Sequence, residues 1–485
     1  MSGMRAVRAG CWLLGVALAA GTALASGKFG SIVPDGTNVW IGAVSGGSMS
    51  NAANWRAESP KGYTVEELFT LHCVYDLRGL ANGAVVTNDL TAGCSYPNET
   101  GNNTKQFTLV AGILAAGEPG DVWTIQRVGG KGLYFCSPCS LDIEGGTLVW
   151  DDNGASDYYP YKVPHKYGSG KFLFKSVPYF WESVGYVHEG TLAFTNGVGT
   201  STYRWQLYDG AALEVAGGVS SIAQIGSVAG VSAATRLSVP SGATLDLCTG
   251  FNNYGSWVKF YGDVTGDGTL RVTGGGRHYL VRDKVAALSF TGCYQPYLGD
   301  LVFGTADKPL GLAPTASLDV AGSGWAFLYQ DATVRALTGA GADGGVSWPA
   351  DATLTLDGAA GETNVYAGRL AGGTLVKKGA DHTLVLTGET RHGGAIRVEA
   401  GTLAVRRGLS RPGLRAYWNF EDADDLGADA SADGLMSVAV RKDPTFRPYQ
   451  IADGVVGRAV HFGDGQDMKK GGVFLRARKA DLSAK

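Results

Sequence analysis

The chain has 485 residues, 74 of them glycine; 45% are apolar and only 18% are charged. Glycine at about twice its usual share, without a three-residue period, excludes collagen, and the apolar content and low charge exclude an extended disordered chain. Each interior glycine costs a helix about 1 kcal/mol relative to alanine, so the composition argues against a helical bundle and for many short strands joined by tight turns.

Arg5 and Arg8 precede an apolar run from Cys11 to Ala20, and Ala23-Leu24-Ala25 offers a small-x-small cleavage site before Ser26. Residues 1–25 therefore read as a secretory signal peptide. The run is shorter than the roughly 20 residues a helical span needs. No later segment reaches that length, so no transmembrane segment is expected after cleavage. Losing the two arginines takes the net charge from −3 to −5, which disfavours nucleic acid as a partner. Six cysteines remain, an even number that permits disulfides in an exported protein. Cys73–Cys94 is the favoured pair, and Cys248–Cys293 is placed to staple neighbouring turns. Cys136-Ser137-Pro138-Cys139 has redox spacing, but no βαβ pattern surrounds it and its flanks read as strands. Zinc would need a second ligand pair at finger spacing, and the sequence has none.

Residues 26–128 look irregular and β-rich, a cap on the repeats that begin after them. Their one helix signal is Thr64-Val65-Glu66-Glu67-Leu68-Phe69, where Thr64 and Glu67 form a capping box. From about Gly129 a phrase recurs: a small residue, Thr, Ala or Ser, then Leu, any residue, and an apolar residue. It appears at Gly146-Thr147-Leu148-Val149-Trp150 and at residues 190–194, 211–215, 243–247, 268–272, 316–320, 352–356, 373–377 and 401–405. In a strand the leucine and the apolar residue two places on share a face, so both point inward. Leu192 to Leu213, Leu354 to Leu375 and Leu375 to Ile396 are each 21 residues, and Leu245 to Leu270 is 25. Such a period marks stacked repeats, and without a helix in the unit each repeat should be one coil of a β-solenoid over residues 129–405. A string of small β-sandwiches would need linkers, and none is visible before residue 406. Leu148 to Leu192 spans 44 residues, about two coils, so an aromatic loop or extra hairpin is expected to leave the solenoid near residues 150–190.

Gly372-Gly373-Thr374-Leu375-Val376-Lys377-Lys378-Gly379 through Thr383-Leu384-Val385-Leu386-Thr387-Gly388, continued by Gly393-Gly394-Ala395-Ile396-Arg397-Val398-Glu399-Ala400-Gly401-Thr402-Leu403, closely resembles the autotransporter-associated β-strand repeat. Asn38-Val39-Trp40-Ile41-Gly42 and Ser50-Asn51-Ala52-Ala53-Asn54-Trp55 look like the opening segment of such bacterial proteins. The resemblance implies a right-handed β-helix passenger at the cell surface. The family's outer-membrane translocator barrel is not visible. After a basic linker at residues 406–413, Leu414-Arg415-Ala416-Tyr417-Trp418-Asn419-Phe420-Glu421 and Gly454-Val455-Val456-Gly457-Arg458-Ala459-Val460-His461-Phe462 resemble the first strands of a laminin-G-like or concanavalin-A-like jelly roll. Only 72 residues remain from Leu414, so that β-sandwich is expected to be cut short. The fold class is thus all-β, a right-handed β-solenoid followed by a truncated jelly roll.

Candidate chemistry is sparse. Asp263-Val264-Thr265-Gly266-Asp267-Gly268 opens like a calcium loop, but Gly274 stands at the twelfth position, where a bidentate glutamate is required, so a turn between strands is expected. Tyr158, Tyr159, Tyr161 and Trp181 are the candidate ligand contacts, since aromatic faces stack on sugar rings and Asp151, Asp152 and Asp157 lie close in sequence. The competing reading packs these aromatics onto the solenoid wall. The adjacent acid pairs Asp151-Asp152, Asp424-Asp425 and Glu66-Glu67 lack a recurring basic partner. His165 and His188, flanking the aromatic segment, read as loop or surface residues. No metal ligand set or cofactor site is read. The expected function is an exported, non-catalytic extracellular or cell-surface protein of a bacterium, binding a polysaccharide or glycoprotein. The alternative is a polysaccharide-active lyase or glycoside hydrolase on a β-helix.

Overall fold

A computed structural model describes residues 34–90, 94–96, 105–128, 133–151, 165–175, 184–197, 204–222, 224–248, 258–281, 283, 286–341, 343–388 and 394–405, with four short strands beyond them. These residues are almost entirely β-structure, and from Gly36 to Val405 nearly every strand pairing is parallel. Two short walls repeat along the chain. The first stacks Gly36–Trp40, Cys73–Asp76, Lys105–Ala116, Leu133–Glu144, His165–Tyr167, Val184–Val187, Arg204–Leu207 and Gln224–Ser227 in that order. The second stacks Gly46–Ser48, Val85–Asn88, Val122–Arg127, Thr147–Asp151, Lys171–Phe174, Thr191–Gly197 and Ala212–Ile222, and runs on to Ala336–Thr338. The chain alternates between the walls, so each strand pairs with its counterparts one coil before and one coil after. This is a β-solenoid, and its backbone groups are satisfied coil to coil.

All nine recurrences of the phrase are strands, and their leucines form the interior. Leu148, Leu192, Leu213, Leu245, Leu270, Leu318 and Leu375 are completely buried, while Leu354 and Leu403 are nearly so. Each full leucine burial contributes about 1.5–3 kcal/mol. The leucines also stack on one another. Trp123, Leu148, Phe172, Leu192 and Leu213 occupy one register column, and Leu245, Leu270, Tyr294 and Leu318 another. Phe172 corrects the expectation of an extra hairpin. Lys171–Phe174 is an ordinary rung between Thr147–Asp151 and Thr191–Gly197. The 44-residue interval holds two coils, with phenylalanine in the leucine position of the middle one.

The parallel stack begins before the phrase does, since Gly36–Trp40 and Cys73–Asp76 already belong to the first wall. Trp55–Glu58 runs antiparallel to Gly36–Trp40 and closes that edge. Beside it the short helix Val65–Leu68 carries the expected capping box, with Thr64 accepting from the Glu67 amide and Glu67 accepting from the Thr64 amide. Trp40, Trp55, Phe69 and Tyr75 pack edge-on beneath this cap.

Ala212–Ile222 changes the cross-section. One edge pairs with Thr191–Gly197. Along the other edge, residues 212–214 pair with Arg236–Ser238 and residues 219–222 pair with Thr244–Leu247. A single strand thus supports two, and a third wall opens. Beyond it a separate six-stranded parallel sheet stacks Val258–Phe260, Arg277–Leu280, Asp300–Phe303, Trp325–Leu328, Gly345–Ser347 and Arg369–Ala371. Ala332–Val334, Thr353–Asp357, Thr374–Lys378 and Ile396–Val398 form a later side, and Thr363–Tyr366, Thr383–Leu386 and Thr402–Val405 another. Past residue 405 the described residues form two antiparallel pairings, Ala439–Val440 with Leu475–Arg476 and Gln450–Asp453 with Arg458–His461.

Two coils share an unusual corner. Lys166 is completely buried, and its ammonium donates to the carbonyls of Tyr167, Gly168 (2.7 Å) and Glu189 (3.3 Å). Lys377, also completely buried, donates to Lys378, Gly379 (3.2 Å) and Ala400 (3.2 Å). In both the acceptors lie one, two and 23 residues on. The glycine two residues on has positive φ, +72° at Gly168 and +87° at Gly379. The left-handed turn aims two carbonyls inward, and the lysine ties them to the next coil.

Candidate binding wall

On the first wall alternate residues face outward, and over three coils five of these are aromatic rings. His165 is in register with Tyr186, and Tyr186 with Gln206. The next outward column carries Tyr167, His188 and Tyr208. Tyr167 and His188 stack with centroids 4.4 Å apart and planes 3° apart, and His188 and Tyr208 repeat the contact at 4.4 Å and 22°. This spacing reflects the strand separation of about 4.8 Å. His165 Nδ1 and His188 Nε2 share a hydrogen bond at 3.2 Å. All five side chains are half-buried. The ring faces within the column cover each other, so the stack offers solvent its rims.

Burial, reinforced by the neighbouring His188, pushes His165 down to about 4. Burial lowers His188 too, so both imidazoles are neutral at neutral pH. Burial raises the Tyr167 phenol, helped by Tyr208, Asp142 and Glu189.

The six-stranded sheet carries a second aromatic group. Trp325-Ala326-Phe327-Leu328 alternates out and in, with Ala326 and Leu328 buried. Trp325 and Phe327 lie side by side at 6.0 Å, and Arg277 sits over the Phe327 ring at 5.0 Å while pairing with Asp300 at 3.0 Å. The outward stripe of the second wall is polar instead. Arg271 pairs with Asp246 at 3.2 Å, Thr273 donates to Asp246 at 2.8 Å, and Gln295 donates to Asp319 at 2.6 Å. A cleft of about 310 Å³ lies where Thr244, Thr269, Cys293, Ser317 and Arg335 meet.

Tyr158, Tyr159, Tyr161 and Trp181 all lie outside the described residues. The connections that carry them join Asp151 to His165 and Lys175 to Val184, two strands of the aromatic wall. Of the acids near them, Asp151 pairs with Lys175 at 2.7 Å, and Asp152 and Asp157 lie outside the described residues. Glu66 and Glu67 sit in the capped helix, and Asp424 and Asp425 fall outside. Asp263 begins a strand and accepts from the Ser289 amide at 2.9 Å; Gly266, with φ +99°, makes the expected turn. Among the described residues no group of three or more His, Cys, Asp or Glu side chains could hold a metal ion. None of the described helices is long and apolar enough to cross a membrane.

The expected Cys73–Cys94 bridge is not formed, because Cys73 carries a free, completely buried thiol. The register explains this. Cys73 lies opposite Val110 and Cys94 opposite Phe107 on the same strand. Three residues of strand separate them by about 10 Å, beyond the roughly 7 Å that a disulfide spans. Cys248 and Cys293 are free as well. Cys293 lies opposite Thr269, whereas Cys248 comes just after Leu247, which lies opposite Val272. The two are thus offset along the strands and separated by an intervening rung. Cys139 is buried within the continuous strand Leu133–Glu144.

Sequence reasoning missed the histidine–tyrosine ladder. Its signal was present: His165-Lys166-Tyr167 and Tyr186-Val187-His188 alternate, and they recur at an interval of 21 residues. No family model, no curated protein and no solved structure matches this chain.

Proposed function

We propose that this chain is an exported, non-catalytic β-solenoid surface protein of the autotransporter-associated type, which binds polysaccharide or glycoprotein along its first wall. In this reading residues 1–25 direct export, the coils form a right-handed spacer, and residues 414–485 begin a laminin-G-like module. The observation that carries the binding role is the ladder of half-buried Tyr167, His188 and Tyr208 beside His165, Tyr186 and Gln206. Its rims present hydroxyl, imidazole and amide groups of the kind that bond to sugar hydroxyls. Tyr158, Tyr159, Tyr161 and Trp181, close in sequence to the ladder, are aromatic residues of the kind that stack on sugar rings.

The test is to offer the mature chain a panel of immobilised polysaccharides and glycoproteins. Saturable retention without chain cleavage is expected. Alanine at Tyr158, Tyr159, Tyr161 and Trp181 should weaken retention at least about tenfold, the scale of a lost aromatic contact. Release of reducing ends or unsaturated products would overturn the non-catalytic reading in favour of a polysaccharide-active enzyme. Retention unchanged by those substitutions would remove the four residues from the binding role, and retention unchanged by alanine at Tyr186 and Tyr208 would remove the wall.

A further inference from the structure

The geometry points to a transition-metal site on the first wall, with His165 and His188 as its two protein ligands. The two imidazoles sit on adjacent rungs, and their Nδ1 and Nε2 atoms approach to 3.2 Å. At zinc–nitrogen distances of about 2.0–2.1 Å, a bite of this length corresponds to a ligand–metal–ligand angle of roughly 100°, between square-planar and tetrahedral values. Both rings are held on rigid neighbours. His188 is sandwiched between Tyr167 and Tyr208, and His165 leans on Tyr186 at 4.7 Å. Parallel register fixes the backbones beneath them, since His165 pairs with Tyr186 and Lys166 with Val187. A pre-set ligand pair loses little freedom on binding.

Imidazole suits zinc, copper and nickel, and the half-buried rings leave solvent a route to the site. In the metal-free wall one nitrogen donates its proton to the other. On metal binding that proton moves to the second nitrogen of its own ring, so both facing nitrogens offer lone pairs and no net proton is lost. Among the described residues no third His, Cys, Asp or Glu side chain joins the pair. Water therefore fills the remaining positions, and an open position can take an oxygen ligand from outside the chain.

The experiment titrates the untagged mature chain with zinc chloride by calorimetry, and separately with copper(II) sulfate under electron paramagnetic resonance. One equivalent should bind with a micromolar dissociation constant, and the copper spectrum should show two nitrogen ligands. H165Q and H188Q should each weaken zinc at least about tenfold, and the double variant should lose the site, with circular dichroism confirming an intact β-solenoid. H72Q, a change on a half-buried histidine of the N-terminal coil, should leave zinc binding unchanged. The assignment is overturned if zinc binds the H165Q/H188Q double variant as tightly as the wild type, or if the wild type binds neither ion at a concentration of about 100 μM. Polysaccharide retention without added metal tests the proposed function separately, so either can fail alone.

Discussion

His278 should make the protein acid-labile from within. It sits on the inward face of Arg277–Leu280 with 2% exposure, in register with Leu301, and neither ring nitrogen has a hydrogen-bond partner among the described residues. Burial holds it down to about 4, whereas in the unfolded chain it returns to about 6.5. Between those values the unfolded state binds more protons, so stability falls as pH drops. The full window corresponds to about 3 kcal/mol, and the step from pH 7 to pH 5 to about 2 kcal/mol. His278→Leu removes this dependence. At pH 7 the variant should also gain about 1 kcal/mol, because an unpartnered buried polar group is replaced by an apolar one. Coils of a solenoid open locally, so the readout is amide hydrogen exchange at Tyr279 and Leu280, monitored at pH 7 and pH 5 in both proteins. The wild type should lose about 2 kcal/mol more protection than the variant on acidification. Equal losses in the two proteins would refute the reasoning.

Buried groups elsewhere lead to two more expected outcomes. Lys377→Met strips the ammonium from three carbonyls at a coil corner, and unpaired buried acceptors cost about 1–3 kcal/mol each where water cannot reach them. Exchange within Thr374–Lys378 and Thr402–Val405 should accelerate about 100-fold, and unchanged rates would show that the carbonyls find other donors. Burial, with Asp319 nearby, pushes the Cys293 thiol up to about 12, and burial also raises Cys73 and Cys248. Native alkylation by iodoacetamide at pH 8 should therefore be at least about 100-fold slower at Cys293 than in urea, because the thiolate is the reactive form; equal rates would contradict the raised thiol.

The solenoid was legible because its instruction is local and repeated. A leucine two residues before another apolar residue, bracketed by small residues, encodes a strand and its inward face without knowledge of distant contacts. The instruction becomes illegible where another residue takes the leucine's place. Phe172 and Tyr294 fill that position, and the first of these turned an ordinary rung into an apparent insertion. The first coils carry no phrase at all, since Trp40, Tyr75 and Val86 build their interior. The histidine–tyrosine ladder was hidden for a different reason. Its members are 20 or 21 residues apart, so they become neighbours only once the coil length is known. The buried lysines were hidden too, because lysine is seldom fully buried and one carbonyl that holds each of Lys166 and Lys377 lies 23 residues on. Cysteine pairing failed because it depends on register along the strand, which a count of cysteines does not contain.

Ala212–Ile222 is a dislocation in the stack. In the coils before it, from Leu133 to Leu207, adding or deleting a whole coil preserves the pairings, because each rung sees only its own kind above and below. Across it that freedom vanishes, since one edge of the strand must match a single partner and the other edge two. The protein can therefore lengthen or shorten by duplication among the coils before residue 212, while the junction itself must be inherited whole.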